Sequence, residues 1–321
     1  MSELLKNIDA RTRLAGTNKL EILMFSLGVD SRTGRRETFG INVFKVREVM
    51  RTPPIAAAPE MPHAVQGMVS LRGVLVPVVD LASFAHFSTE CSRDVMIVTE
   101  YNGHTQGFLV ESVDTILRLD WAQMRVPPQM LTANLASLVT AVTELQDGRL
   151  VMMLDVEKVL AETAQIDNDL AYQDIKPLEM EGATVLFADD SSVARAQIVR
   201  TLDRMGVRHY AAINGRHAWQ ELTKLAAYAD TQNRRVRDLV QLVLTDVEMP
   251  ELDGYMLTRN IKNDPRFAGI PVLMHSSLSS MSNRKLGRAV GVDEYVSKFE
   301  PHRLAETLAR MLGQAAAAEA A

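Results

Sequence analysis

The chain has 321 residues, and at roughly 150 residues per domain this length indicates about two domains. Hydrophobic residues make up 47% and charged residues 23%, a globular composition that excludes a largely disordered chain. The 35 basic and 40 acidic side chains give a net charge of −5, which disfavours nucleic acid as a partner because phosphate binding needs a clustered positive field.

The sequence also bears on the cellular compartment. Its single cysteine, Cys91, cannot form a disulfide within the chain, so folding needs no oxidising compartment. The first residues lack the continuous apolar core of a secretory signal. The longest apolar stretch, residues 68–84, is interrupted by Arg72 and Asp80 and falls short of the ~18 residues that span a bilayer. We therefore expect a cytoplasmic protein with no direct membrane insertion.

Short apolar runs separated by turn residues fill the first half of the chain. Asn102-Gly103 and Asp147-Gly148 each lie between two such runs and favour tight hairpin turns, because they adopt positive φ easily. Several short strands with frequent turns predict an all-β barrel or sandwich, closed by a helix over residues 156–163. The predicted strands cover residues 20–27, 39–43, 68–71, 74–79, 94–99, 106–110, 139–144 and 150–154.

Strands and helices alternate in the second half. The predicted strands are residues 184–188, 208–212, 239–245, 271–275 and 294–297. The predicted helices are residues 193–205, 216–228, 255–262, 283–290 and 301–312. Five strands alternating with five helices predict an α/β (βα)5 domain with a doubly wound parallel sheet.

Polar side chains follow four of these five strands. They are Asp189, Asp190, Asp246, Ser276, Ser277 and Lys298. In an open parallel sheet the carboxyl ends of the strands share one edge, where ligands bind. Three carboxylates close together raise each other's pKa, so we expect Lys298 and a divalent cation to balance their charge. Mg²⁺ suits such a site because it takes oxygen ligands and commonly accompanies a phosphate.

Such a site favours phosphoryl transfer to a carboxylate. Asp246 is the expected nucleophile because the run Asp-Val-Glu-Met-Pro begins at a strand end. Taken singly, Asp189-Asp190-Ser191-Ser192 also fits a helix N-cap, and Lys298 also fits a solvated surface lysine. Their joint placement on successive strand ends favours the functional interpretation.

These residues resemble the response regulator receiver domain over about residues 182–312. The resemblance rests on Asp189-Asp190, on the runs 246–254 and 271–277, and on Glu294-Tyr-Val-Ser-Lys298. It implies the following roles: Asp246 as phosphoacceptor; Ser276 and Lys298 in contact with the phosphoryl group; Asp189, Asp190, Asp246 and the backbone carbonyl of Glu248 as holders of Mg²⁺; and Tyr295 as the switch aromatic.

The first half contains no catalytic constellation. Its histidines, His63, His86 and His104, lack metal-ligand spacing, so we expect a binding module. The runs 39–49, 69–81 and 150–160 resemble the CheW coupling-protein domain, a double β-barrel that bridges chemoreceptors to the histidine kinase CheA. Arg72 lies in the Leu-Arg-Gly motif of that family and is a predicted partner-binding residue. Glu48 is its expected ion-pair partner; the alternative is an ordinary exposed acid.

The combination of both domains resembles the CheV type of chemotaxis coupling protein. We expect an N-terminal segment over residues 1–19, a CheW-like coupling domain over 20–165, a linker over 166–181, a receiver domain over 182–313 and a disordered tail over 314–321.

The resemblance implies an adaptor that links chemoreceptors to CheA and is modulated by phosphorylation of Asp246. Its expected partners are CheA, methyl-accepting chemoreceptors and other coupling proteins, with recruitment to membrane-bound receptor arrays. We expect no enzyme activity beyond phosphotransfer and self-dephosphorylation. One alternative is a phosphate sink for CheA with constant coupling. Another is an aspartyl-phosphate phosphatase of the haloacid dehalogenase kind, because Glu248 stands at the offset of its second acid.

Overall fold

The computed structural model describes residues 19–57, 59–101, 104–127, 138–164, 169–178, 180, 182–276, 287–298 and 300–320. It contains two compact units, Lys19–Gln165 and Ile166–Ala321. Among the described residues, no helix combines the length and the apolar character needed to cross a membrane.

The first unit is built from two five-stranded sheets. Its strands are β1 Lys19–Ser26, β2 Thr38–Asn42, β3 Val46–Arg51, β4 Val65–Leu71, β5 Val74–Asp80, β6 Val95–Tyr101, β7 His104–Val110, β8 Ser112–Asp120, β9 Val139–Glu144 and β10 Leu150–Leu154. The strand orders are β8-β1-β2-β10-β9 and β3-β6-β7-β5-β4. All neighbours are antiparallel except β2 with β10 and β5 with β7. Two helices, α1 Leu81–Phe84 and α2 Val156–Ala164, follow β5 and β10.

Each sheet of this unit has its own apolar core. One core contains Ile22, Trp121 and Val151, and the other contains Val78, Met96 and Val98. The eight predicted strands are present, and α2 matches the predicted closing helix. The Asp147-Gly148 turn is also present, with Gly148 at φ +81°. The Asn102-Gly103 turn lies outside the described residues.

The sequence prediction missed β3 and β8. No residue of β8 is fully buried, and β3 buries only Val46 completely. In both strands, charged residues such as Arg47, Glu48 and Arg118 stand between the apolar residues. Neither strand therefore shows the continuous apolar run or the clear alternation of apolar and polar residues by which a strand is predicted.

The second unit is a parallel sheet with helices on both faces. Its strands are β11 Thr184–Ala188, β12 Arg208–Ala212, β13 Leu242–Thr245, β14 Val272–Ser276 and β15 Glu294–Ser297. Its helices are α3 Ser192–Arg204, α4 Gly215–Thr231, α5 Gly254–Asn263 and α6 Pro301–Ala320. The strand order is β12-β11-β13-β14-β15, and every pair is parallel. The predicted fold class is therefore confirmed. Of the predicted helix over 283–290, residues 287–290 are helical and the others lie outside the described residues.

Part of the segment that we predicted to be a linker packs on the second unit. Tyr172 and Ile175 are 2% and 8% exposed and belong to a core cluster that includes Leu202 and Leu308. The Arg200 guanidinium lies 5.0 Å from the centre of the Tyr172 ring. Residues 169–178 thus extend the apolar core beneath α3 and α6.

Helix α6 continues into the segment 314–321, which we predicted to be a disordered tail, and ends at Ala320. Alanine has the highest intrinsic helix propensity, and the alanine-rich end contains neither proline nor a glycine after Gly313 to end the helix.

We predict that Tyr172→Ala destabilises the second unit by about 3 kcal/mol, because it removes a buried ring from the core. Tyr228→Ala is the matched control: Tyr228 is 56% exposed, and its loss should change stability by less than about 0.5 kcal/mol. Urea unfolding can be followed by the fluorescence of Trp219 in a Trp121→Phe background, since the chain has two tryptophans. Equal losses for the two variants would contradict this role of Tyr172.

Candidate functional site

The candidate site lies where two neighbouring inner strands of the parallel sheet, β11 and β13, end. Ala188 of β11 pairs in register with Thr245 of β13, so the residues that follow them, Asp189 and Asp246, leave the sheet side by side. The Asp246 amide donates a hydrogen bond to the Ala188 carbonyl at 2.8 Å. All residues of both strands are buried, as expected for a parallel sheet covered on both faces.

The structure brings three predicted carboxylates together with the predicted lysine. Oxygens of Asp189, Asp190 and Asp246 all lie within 4.8 Å of one another. Lys298 is fully buried, and its Nζ lies 2.9 Å from Oδ2 of Asp246 and 2.9 Å from Oδ2 of Asp189. Buried charges are tolerated only when they are paired in this way. Three carboxylates and one ammonium still leave a net charge of about −2 at the cluster.

This donor set fits Mg²⁺. The available ligands are carboxylate oxygens, which hard cations prefer, and the excess negative charge matches a divalent ion. Asp190 is only half-buried, so the cluster is open to solvent on its side. Asp189, Asp190 and Asp246 would hold the ion, and the predicted contribution of the Glu248 carbonyl remains a prediction.

The loop after β13 fixes the Asp246 carboxylate. The Val247 amide donates to Asp246 Oδ1 at 2.6 Å, and the Gly254 amide donates to the Val247 carbonyl at 2.9 Å. A Cβ atom at Gly254 would overlap the carbonyl oxygen of Asp246, so only glycine permits this close return of the chain. One carboxylate oxygen of Asp246 is therefore held by backbone and the other by Lys298.

The neighbouring loop after β11 is fixed by a helix cap. Asp189 Oδ1 accepts a hydrogen bond from the Ser191 amide at 2.9 Å, and Arg195 donates to the Asp189 carbonyl at 2.8 Å. Ser191 is the N-cap of α3, because its Oγ accepts from the Ala194 amide. The helix-cap interpretation thus applies to Ser191, and the two aspartates are left to form the acidic cluster.

The remaining predicted residues lie on the two strands beyond β13. Ser276 ends β14 and is 4% exposed, and its carbonyl accepts a hydrogen bond from the Lys298 amide at 3.2 Å. Tyr295 pairs with Met274 across β14 and β15 and is half-buried. Ser277 lies outside the described residues. The sequence prediction missed Arg195 and a buried neighbour of Tyr295, Tyr255, because contacts of this kind arise only from packing.

In the first unit, the structure pairs Arg72 with Glu48. Arg72 Nη2 lies 3.0 Å from Glu48 Oε2, and the Arg72 side chain is 72% exposed. Arg72 and Gly73 both have positive φ, 52° and 85°, in the tight turn between β4 and β5. The residues that follow, Val74 and Leu75, are 50% and 67% exposed. The predicted ion pair is thus present beside an exposed apolar turn, and its role in partner binding remains a prediction.

Comparison with known protein families assigns a domain family to each half of the chain. The CheW-like domain model matches residues 22–164, and the response regulator receiver domain model matches residues 185–309.

The chain is similar to chemotaxis proteins of three kinds. Chemotaxis protein CheV1 of Helicobacter pylori is 27% identical over 331 residues, which cover 97% of this chain and 99% of the relative. Chemotaxis protein CheW of Klebsiella aerogenes is 30% identical and covers 49% of this chain and 93% of its own length. Chemotaxis protein CheY1 of Helicobacter pylori is 34% identical and covers 40% of this chain and 96% of its own length.

The two domain models thus match different parts of the chain, and the CheV1 relative covers nearly all of it. The chain belongs to the CheV type of chemotaxis protein, in which a CheW-like domain is joined to a response regulator receiver domain.

Proposed function

We propose that this chemotaxis coupling adaptor links chemoreceptors to the kinase CheA and that phosphorylation of Asp246 modulates the coupling. The observation that carries the proposal is the Lys298 ammonium, 2.9 Å from both Asp246 and Asp189 within one acidic cluster, in a chain that also carries a CheW-like domain. A phosphoryl-accepting carboxylate needs these features: an open side, nearby positive charge and acids that hold a metal.

In the proposed reaction, a carboxylate oxygen of Asp246 attacks the phosphorus of a CheA phosphohistidine. The new P–O bond forms as the P–N bond breaks, and the electron pair remains on the imidazole nitrogen, which then takes up a proton. Lys298, which contacts Asp246 Oδ2 before the reaction, pairs with a phosphoryl oxygen afterwards, and the Ser276 hydroxyl donates to another. Mg²⁺, when bound by the acidic cluster, offsets the charge of the phosphoryl oxygens.

The acyl phosphate would act on coupling through the receiver domain. Ser276 moves toward the phosphoryl group, and the neighbouring strand β15 with Tyr295 adjusts, which shifts the domain between two populated states. That shift alters how the coupling domain engages CheA or the chemoreceptors. We further propose that the protein is recruited to membrane-bound receptor arrays, with other coupling proteins as additional partners.

The first alternative is a phosphate sink, in which Asp246 accepts phosphate from CheA at the same site. It differs from the proposed function because coupling would then not respond to phosphorylation. A phosphatase of the haloacid dehalogenase kind needs a second acid that gives a proton to an entering substrate. Oε1 of Glu248, the acid at that offset, is shielded from solvent, which disfavours this role.

Phosphotransfer from ³²P-labelled CheA tests the proposed reaction. With Mg²⁺ present, label should move to the wild type and not to Asp246→Asn, which keeps the shape of the residue and removes its nucleophilic charge. Chelation of Mg²⁺ by EDTA should abolish transfer to the wild type. Asp230→Asn, at an exposed residue of α4, is the matched control and should accept label normally. Unchanged label on Asp246→Asn would disprove Asp246 as the phosphoacceptor.

A second prediction concerns the coupling domain. Arg72→Ala should weaken binding of CheA or of a chemoreceptor signalling fragment about tenfold, because arginines in interfaces often carry much of the binding energy. The stability of the protein should change by less than about 1 kcal/mol, since the ion pair with Glu48 is exposed. Arg118→Ala is the control: Arg118 forms a comparably exposed pair with Glu21 on the other sheet. Calorimetric titrations in which Arg72→Ala binds both partners as the wild type does would refute this role.

A further inference from the structure

A cleft opens at the amino end of the parallel sheet, the end opposite to Asp246. Its volume is about 660 Å³. Strand β12, which begins at Arg208 and is an edge strand of the sheet, forms one side of it. Residues 234–239, which precede β13, form the other side. Cavities of roughly 300–1,000 Å³ are typical of small-molecule sites, so the cleft is large enough for a small organic ligand.

The wall formed by residues 234–239 is tied to the sheet. Gln241 Oε1 accepts a hydrogen bond from the Thr184 amide at 2.8 Å, and Gln241 Nε2 donates to the Arg237 carbonyl at 2.9 Å. Val236 is 4% exposed and packs in an apolar core cluster. The wall is therefore held in place before a ligand binds, which keeps the entropic cost of binding small.

Two residues of β12 lie on the same face of the sheet as this wall. Tyr210 pairs in register with Leu186, and Arg208 pairs with Thr184. Residues side by side in a parallel pair point to one face, and so do residues two apart on a strand. Leu186 and Val236 belong to the same core cluster, which places Arg208, Tyr210 and the wall on one face.

Two arginine side chains of the cleft bond only to backbone carbonyls. Arg208 Nη2 donates to the Gly182 carbonyl at 2.6 Å, and Arg234 Nη2 donates to the Asp238 carbonyl at 3.2 Å. Within the described part of the chain, neither guanidinium forms a salt bridge. A guanidinium carries five N–H donors, so most of these donors remain for a ligand.

Neither acid of the cleft neutralises these two arginines. Asp238 Oδ2 accepts from the Arg235 amide at 3.1 Å, and its Oδ1 lies 3.2 Å from Arg235 Nη2. Asp203 lies 3.8 Å from His209 Nδ1, and His209 pairs in register with Val185, on the opposite face of the sheet. Three arginines thus stand against two aspartates, and this excess positive charge suits an anion.

An exposed aromatic ring lies beside the arginines. Tyr210 is 41% exposed although it belongs to a strand of the sheet. Aromatic rings next to positive charge bind nucleotides, because the base stacks on the ring while the cation holds the phosphate. Arg208 and Tyr210 are two residues apart, about 6–7 Å along the strand. The sugar of a nucleotide spans a distance of this order between its phosphate and its base.

We propose that this cleft binds a nucleotide, with the phosphate on Arg208 and Arg234 and the base stacked on the ring of Tyr210. The proposal stands on the residues that line the cleft. It does not depend on the proposed function, because Asp246 lies at the other end of the strands. The cleft would give the receiver unit a second ligand site, one that needs no metal.

Calorimetric titration of the full chain with AMP, and separately with GMP, tests the site. EDTA is present throughout, because a metal held by the acidic cluster would attract phosphate there. We expect saturable binding of one nucleotide per chain. Arg208→Ala and Arg234→Ala should each weaken binding about tenfold, because each removes charge-assisted hydrogen bonds to the phosphate. Arg303→Ala, at an exposed arginine of α6 outside the cleft, is the control and should bind normally.

The role of the ring is tested with separate variants. Tyr210→Ala should weaken binding of both nucleotides about tenfold, whereas Tyr210→Phe keeps the ring and should bind as the wild type does. Tyr228→Ala, at an exposed tyrosine of α4 outside the cleft, is the control. Ribose 5-phosphate, which carries the phosphate without a base, should bind about tenfold more weakly than AMP.

Circular dichroism checks that every variant is folded. The proposal is overturned if the wild type shows no saturable binding at millimolar AMP or GMP, or if folded Arg208→Ala and Arg234→Ala bind as the wild type does. Equal affinity for ribose 5-phosphate and AMP would exclude a nucleotide as the ligand. These titrations contain neither metal nor CheA, so their failure leaves the proposed function intact, and a failure of phosphotransfer leaves the cleft intact.

Discussion

The contact between the buried Lys298 ammonium and the carboxylates of Asp189 and Asp246 is the interaction on which the receiver site depends. Without a positive charge between them, two buried carboxylates at adjacent strand ends would repel each other and lose ionisation. The contact also ties β15, which carries the lysine, to β11 and β13, which are separated from it by β14 or more in the sheet. The same lysine thus stabilises the edge of the sheet and leaves an excess negative charge that suits a divalent cation.

Two glycines allow the chain to build the site and to connect it to the switch. Gly254 lets the loop after β13 return to the Asp246 carbonyl, which places Tyr255 beneath that loop. Gly287 leaves room for the Tyr295 ring. Asp246 and Tyr295 lie on strands separated by β14, yet packed side chains and hydrogen bonds join them through Val247 and Tyr255.

Much of the receiver fold and of its acidic site could be predicted from the sequence. The carboxyl ends of parallel strands share one edge of the sheet, and polar residues that follow buried strands are easily recognised. The fold class and the convergence of Asp189, Asp190, Asp246 and Lys298 follow from that rule. Strand β8 could not be found in this way, because it buries no residue completely. The proximity of Tyr255 and Tyr295 could not be predicted either, because the two residues are 40 positions apart in the sequence and come together only through packing. The ion pair between Arg72 and Glu48 was predicted only in part. The Leu-Arg-Gly motif indicated Arg72, but the sequence fitted an ordinary exposed acid at Glu48 equally well, and the structure shows the pair.

Under the proposed function, the phosphorylation state of the receiver domain changes the coupling made by the CheW-like domain. The most direct test is a titration of the full-length protein with CheA, and separately with a chemoreceptor signalling fragment, in the presence of Mg²⁺ with and without beryllofluoride, a mimic of the acyl phosphate. We expect beryllofluoride to change at least one of the two affinities in the wild type and neither in Asp246→Asn. Equal affinities with and without beryllofluoride in a wild-type protein that accepts phosphate from CheA would contradict regulated coupling and identify a phosphate sink.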